Sequence, residues 1–82
     1  MSTDLEKANF VFVGKMEMTK DEMFILCEKY NGNPQKNITK ATNYLVIGKN
    51  PSEIKMAKAK ENGIKIITEQ EFFEMIGEWK WF

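Results

Sequence analysis

The 82-residue chain, 43% hydrophobic, can fill one small core, because a chain this short buries only about 60% of its unfolded surface on folding. Its twelve lysines balance twelve acidic residues, and it has no arginine and no histidine, which excludes a general basic coat for nucleic acid, histidine catalysis and histidine–metal chemistry. The single Cys27 excludes an internal disulfide and multi-cysteine zinc motifs and fits a reducing compartment.

Residues 1–8 are polar and read as a frayed lead-in. The start Met1-Ser2-Thr3-Asp4 lacks the basic and apolar regions of a signal peptide, and no apolar run approaches the roughly 18 residues of a membrane span. A cytoplasmic domain is expected. Phe10-Val11-Phe12-Val13 is short, continuously apolar and rich in strand formers, and Gly14 stops it, so a strand buried on both faces is predicted. Thr19 and Glu22 have the spacing of a capping box. The helix they open carries Met23, Leu26, Cys27 and Tyr30 on one face and closes at Asn31-Gly32. Asn33 to Ile38 is a weaker segment, and Pro34 makes it an edge strand or a very short one.

Tyr44-Leu45-Val46-Ile47-Gly48 is the second clear buried strand. Ser52 N-caps a helix that runs to Asn62, with Gly63 beyond it. Ile64-Lys65-Ile66-Ile67 is the next strand, and Thr68 with Glu71 repeats the capping-box spacing before a helix bearing Phe72, Phe73, Met75 and Ile76. Gly77 ends that helix and leaves a tail with Trp79, Trp81 and Phe82, which either packs on its own helices or offers an apolar contact. The order β-α-β-β-α-β-α predicts a single α/β domain, a parallel sheet covered by helices on both faces. Its core spans residues 9–77, with Phe10, Phe12, Leu45, Ile47, Ile64 and Ile66 in it or beside it.

Little here supports catalysis. Cys27 has no histidine to activate it and sits on the apolar stripe of the first helix, where a structural thiol is expected. Most carboxylates lie in capping boxes or on lysine-rich helix faces, as on a solvated surface. Neither a nucleotide P-loop nor a Gly-x-Gly-x-x-Gly run occurs. No metal, cofactor or small-molecule substrate is expected. A better candidate comes from the rule that open α/β sheets bind ligands beyond the carboxyl ends of their strands. Gly14 closes the first strand and Lys55 lies in the first turn of the second helix. A glycine N–H, a lysine ammonium and a helix N-terminus there would make a single-phosphate site. The plainer alternative, a turn glycine and a solvated lysine, stands beside it.

From Asn9 to Ile76 the chain resembles a BRCT domain, of the bacterial type found at the C-terminus of NAD-dependent DNA ligases. The features that carry the resemblance are Phe10 to Gly14, Met18 to Glu22, Asn31-Gly32 where the family usually has Gly-Gly, and Thr39 to Val46. Ser52 to Ile67, with Lys55, Ala59 and Gly63 in register, and Glu71-Phe72-Phe73 complete it. The resemblance implies a three-layer α/β/α fold with a four-stranded parallel sheet in order 2-1-3-4, helices one and three on one face and helix two on the other. Sequence pattern alone leaves the second strand's place open, since the link from strand two to strand three is too short for an ordinary parallel crossover.

The resemblance also implies a non-catalytic module of DNA replication or repair, with no membrane role. Its partners would be DNA ends or nicked duplex, bound weakly, or replication and repair proteins. The family's phosphate pocket uses a Ser or Thr at the end of strand one, the next glycine N–H and a lysine opening helix two; by position these are Val13, Gly14 and Lys55. Val13 departs from the pattern, having no hydroxyl. DNA-end binders add a basic residue early in helix one, here Lys20, and Lys15 beside Gly14 partly offsets the missing hydroxyl. The competing expectation is a protein–protein docking or dimerisation module with no phosphate binding.

Overall fold

The computed structural model describes residues 5–77. Seven elements follow one another: β1 (Asn9–Val13), α1 (Lys20–Lys29), β2 (Asn33–Gln35), β3 (Tyr44–Ile47), α2 (Glu53–Glu61), β4 (Lys65–Thr68) and α3 (Glu69–Met75). The strands form one sheet in the order β2-β1-β3-β4, with every pairing parallel. This is the order implied by the resemblance. Phe10 faces Pro34 of β2 and Tyr44 of β3 in register, which makes β1 a central strand.

Alternation along the strands sorts the apolar side chains into two clusters. Phe10, Phe12, Val46 and Ile67 join Met23 and Cys27 of α1 and Phe72 and Phe73 of α3. Val11, Val13 and Leu45 point the other way and pack with Ala59 of α2, Ile38 and Ile64. Helices α1 and α3 therefore cover one face and α2 the other. Ile47 and Ile66 are partly buried against the α2-side cluster, beside the core rather than in it.

The helix ends follow local sequence. Thr19 and Thr68 accept from the N–H of Glu22 and Glu71, whose carboxylates accept from the threonine N–H groups in return, so α1 and α3 both begin in capping boxes. Ser52 accepts from the Lys55 N–H at 3.3 Å and caps α2 alone. At its other end, α2 closes on Gly63 (φ +67°), with the Ile64 N–H donating to the Ala59 carbonyl at 2.9 Å. Ala59 and Ile64 are both buried and seal that closure with an apolar contact.

Two expectations are corrected. The lead-in is not frayed from Leu5 onward. Leu5 is buried in the α1/α3-side cluster, its N–H donates to the Tyr30 carbonyl at 2.8 Å, and the Lys7 N–H donates to the Asn31 carbonyl at 2.7 Å. The second strand, expected anywhere from Asn33 to Ile38, stops at Gln35, and Ile38 instead anchors the connection to the α2 side.

That connection, residues 36–43, crosses β1 without a helix. Side-chain hydrogen bonds hold it in place. The Asn9 N–H donates to the Asn43 side-chain oxygen at 2.7 Å, the Asn9 amide donates to the Ala41 carbonyl at 2.7 Å, and the Asn33 amide donates to the Asn9 oxygen at 2.6 Å. Buried Thr42 accepts from the Thr39 N–H at 2.9 Å and donates to Gln35 at 3.1 Å. Three asparagines thus fasten the amino ends of β2, β1 and β3. Trp79, Trp81 and Phe82 lie outside the described residues. Among the described residues no helix is long and apolar enough to cross a membrane.

Candidate functional site

The carboxyl ends of β1 and β3 are adjacent, and the chain leaves them toward helices on opposite faces of the sheet. This is the switch point at which α/β sheets take ligands. Val13 ends β1 with its side chain buried against α2, only 2% exposed, so the departure from the family's pocket sits in a dry, apolar setting. Gly14 follows with φ +88°, a conformation that favours glycine, and a Cβ there would stand 2.9 Å from the Lys49 carbonyl oxygen.

One residue further on, the chain pairs antiparallel with the segment after β3. The Lys15 N–H donates to the Lys49 carbonyl at 2.8 Å, and the Lys49 N–H donates to the Lys15 carbonyl at 2.7 Å. Gly48 N–H donates to the Val13 carbonyl at 2.9 Å, and a Cβ on Gly48 would collide with the Lys15 backbone. Both glycines are therefore required by close backbone approach. Beside this bridge lies an open depression of about 330 Å³ lined by Lys15, Met16, Glu17 and Lys49.

The loop from β1 to α1 is held from the far side by Glu69, the first residue of α3. Its carboxylate accepts from the Glu17 N–H at 3.0 Å and 3.2 Å, one bond to each oxygen, and from the Met18 N–H. Burial pushes the Glu69 carboxyl above its ordinary value, the two N–H donors pull it down, and the neighbouring Glu17 charge adds to the rise.

Of the residues expected from sequence, Val13, Gly14 and Lys15 lie together at the strand end. Lys20 opens α1 and is exposed, and Lys55 lies half-buried in the first turn of α2. Those helices cover opposite faces, so the two lysines flank the rim from either side, and the depression itself is lined by neither. Sequence reading missed Lys49 and Gly48. A signal was present: Gly48-Lys49 after β3 repeats the Gly14-Lys15 that follows β1. Glu69 was missed because its bonds cross from α3 to a loop far away in the chain.

Cys27 is fully buried, and burial, with the neighbouring Glu28 charge, pushes its thiol up to about 12. It stays protonated near neutrality and is no nucleophile. Among the described residues no cluster of three or more Cys, Asp or Glu side chains could hold a metal ion.

Comparison with known proteins decides the family. The sequence model of the BRCA1 C Terminus (BRCT) domain matches residues 2–76. The chain belongs to the BRCT family. This BRCT chain is 37% identical over 76 residues to a DNA ligase of Aquifex aeolicus, a match covering 92% of the chain and 11% of the ligase. It is 44% identical over 62 residues to a DNA ligase of Petrotoga mobilis, covering 76% of the chain and 9% of that protein. The BRCT chain thus spans about a tenth of the length of these relatives. Among solved structures, Rad4 BRCT1,2 in complex with a Mdb1 phosphopeptide superposes with a TM-score of 0.77 at 15% identity, covering 95% of this chain and 42% of that one. At that identity the likeness concerns the fold alone. BRCT domains are in general non-catalytic interaction modules of DNA repair and replication.

Proposed function

We propose that this chain is a non-catalytic BRCT module that makes weak contacts to DNA ends or nicked duplex through Gly14, Lys15, Lys20 and Lys55. The observation that carries the reading is the rim itself. At the carboxyl ends of the two central strands stand a left-handed glycine and Lys15, which lines an open depression, with Lys20 and Lys55 in the first turns of helices on opposite faces of the sheet. An anion is the ligand such a surface suits. Likeness to the DNA ligases supports DNA as the source of that anion.

Binding is weak in this reading because Val13 supplies no hydroxyl. Only about two to four phosphates are in reach of these lysines, so the log–log salt slope should be about −2 to −4. The test is an NMR titration with duplex DNA bearing a 5′-phosphate, against the same duplex without it. Shifts centred on Gly14 and Lys55 that are larger with the phosphate support the reading; identical responses, or none, overturn it.

The second reading is a protein-docking module without phosphate binding. Val13, which offers no hydroxyl to a phosphate, and the chain's zero net charge favour it.

A further inference from the structure

We propose that Lys15 and Lys49 form a second anion site on the β1–β3 seam, separate from the terminal-phosphate position at Gly14 and Lys55, which holds an internal phosphate of the DNA backbone. The inference rests on the DNA-end reading above and adds a contact that the family's phosphate pocket does not contain.

Lys15 and Lys49 exchange both backbone hydrogen bonds of an antiparallel bridge. Residues paired in this way have Cα atoms about 5.5 Å apart and side chains on the same face. Like charges directly opposite each other destabilise a pair, and nothing about the bridge requires lysine at either position. The backbone supplies the bonds, and the tight approach is met by Gly14 and Gly48. Lysine at both positions is therefore better explained by an anion that both can reach across the depression they line.

The surroundings agree. Both lysines are exposed, and both line the open depression beside the bridge. Glu17 lines it too, so repulsion directs an anion toward the lysine pair, while Met16 adds an apolar surface. Glu69 fixes the Glu17 backbone and with it the loop that carries Lys15. The site is open and shallow, which suits a phosphate on the convex backbone of a duplex. Lys15 follows Gly14 directly in the chain, so the seam borders the terminal-phosphate position.

The experiment compares the intact chain with Lys49→Gln, Lys15→Gln, the double variant, Lys49→Arg and Lys55→Gln. Each is titrated with 5′-phosphorylated and unphosphorylated duplex over a salt series beginning at about 50 mM. Lys49→Gln should weaken both duplexes several-fold and to the same extent and reduce the log–log salt slope by less than about 0.9, the change expected of the double variant. Lys49→Arg should retain binding. The double variant should lose less than the product of the two single losses, because both lysines serve one phosphate. Lys55→Gln should instead erase the preference for the phosphorylated end. The melting temperature of Lys49→Gln should not fall, since backbone groups make the bridge.

If Lys49→Gln leaves affinity and slope unchanged while Lys55→Gln erases the end preference, the seam site is refuted and the DNA-end reading stands. If neither duplex binds, both fall. If an acidic unphosphorylated peptide shifts Lys15 and Lys49 while DNA does not, the rim is a protein-binding surface and the inference is overturned. A lowered melting temperature without a change in binding would mark the pair as structural and overturn it as well.

Discussion

The two faces of the sheet are built on different plans. On the α1/α3 face, aromatic rings interlock: Phe72 meets Phe10 and Phe12 edge-on with centroids 5.4 and 5.3 Å apart, and Phe10 stacks on Tyr44 at 4.9 Å. Two helices, both begun by capping boxes, close over them. On the α2 face the cluster is aliphatic and smaller, and the only buried residue of α2 is Ala59. Helix α2 rests on Ala59 and the partly buried Met56 and leaves Ile54 in water. The larger core lies on the aromatic face, and the candidate site lies at the end of the sheet, where residues from both faces meet.

Neighbouring residues of β1 test this division, since Phe12 and Val13 point to opposite faces. Phe12→Ala should cost about 3–5 kcal/mol in urea unfolding, a large part of what a domain this size has. A cooperative melt close to that of the parent would break the contrast. Val13→Thr keeps the shape but places a hydroxyl in an apolar setting, at a cost of about 1–3 kcal/mol. If the phosphate pocket is otherwise intact, the same variant should tighten 5′-phosphorylated DNA by up to about tenfold, with Lys55→Ala removing the gain. Loss of stability with no change in discrimination between the two DNA ends would make this position purely structural.

A third test sharpens the view of the aromatic face as sealed. The Cys27 thiol is held at about 12 in the fold against 9.0 ordinarily. Between those values the folded state keeps a proton that the unfolded chain has lost, so stability falls as pH rises from 9 toward 12, by about 1.4 kcal/mol per pH unit. Below pH 9 the thiol adds no pH dependence. Urea midpoints across this range should show the fall in the parent and a shallower one in Cys27→Ala. Equal slopes would mean that the thiol is not sealed.

The smallest effect belongs to Glu69, which ties the aromatic face to the rim loop. Its carboxyl is raised in the fold, so protonation favours the folded state, and its contribution to stability grows as pH falls through the raised value toward the ordinary 4.5. The parent should gain on Glu69→Gln over that interval in matched urea titrations. A gap between them that stays constant with pH would contradict this.

Much of the architecture could be read from local chemistry. Thr19 with Glu22, Thr68 with Glu71, and Ser52 before α2 mark helix starts because they satisfy backbone groups within one turn, and the apolar runs at Phe10, Tyr44 and Ile64 mark strands. What escaped was set by partners distant in the chain. β2 is held by Asn9, Asn33 and Asn43 bonding across strands, and asparagines taken singly read as loop. Leu5 looked like part of a polar tail because Tyr30 and Asn31, which hold that segment, come later in the sequence. The strand order came from family resemblance and not from pattern. At the site, Gly14 and Lys15 were legible as the end of a strand. Lys49 gains its meaning only from the bridge that sets it opposite Lys15.

The position of Phe72 has a consequence for how the chain acquires its structure during synthesis. Phe10 and Phe12, made before the rest of the domain's sheet, find their edge-on partner in the last helix of the domain. Every strand pairing is parallel and spans long stretches of chain, and such contacts form late because distant segments must first be brought together. A nascent chain lacking α3 would therefore expose an unpaired aromatic surface, the kind that chaperones hold and that aggregates when left alone. Folding of this domain should complete in one cooperative step, only after the sequence through Ile76 has left the ribosome.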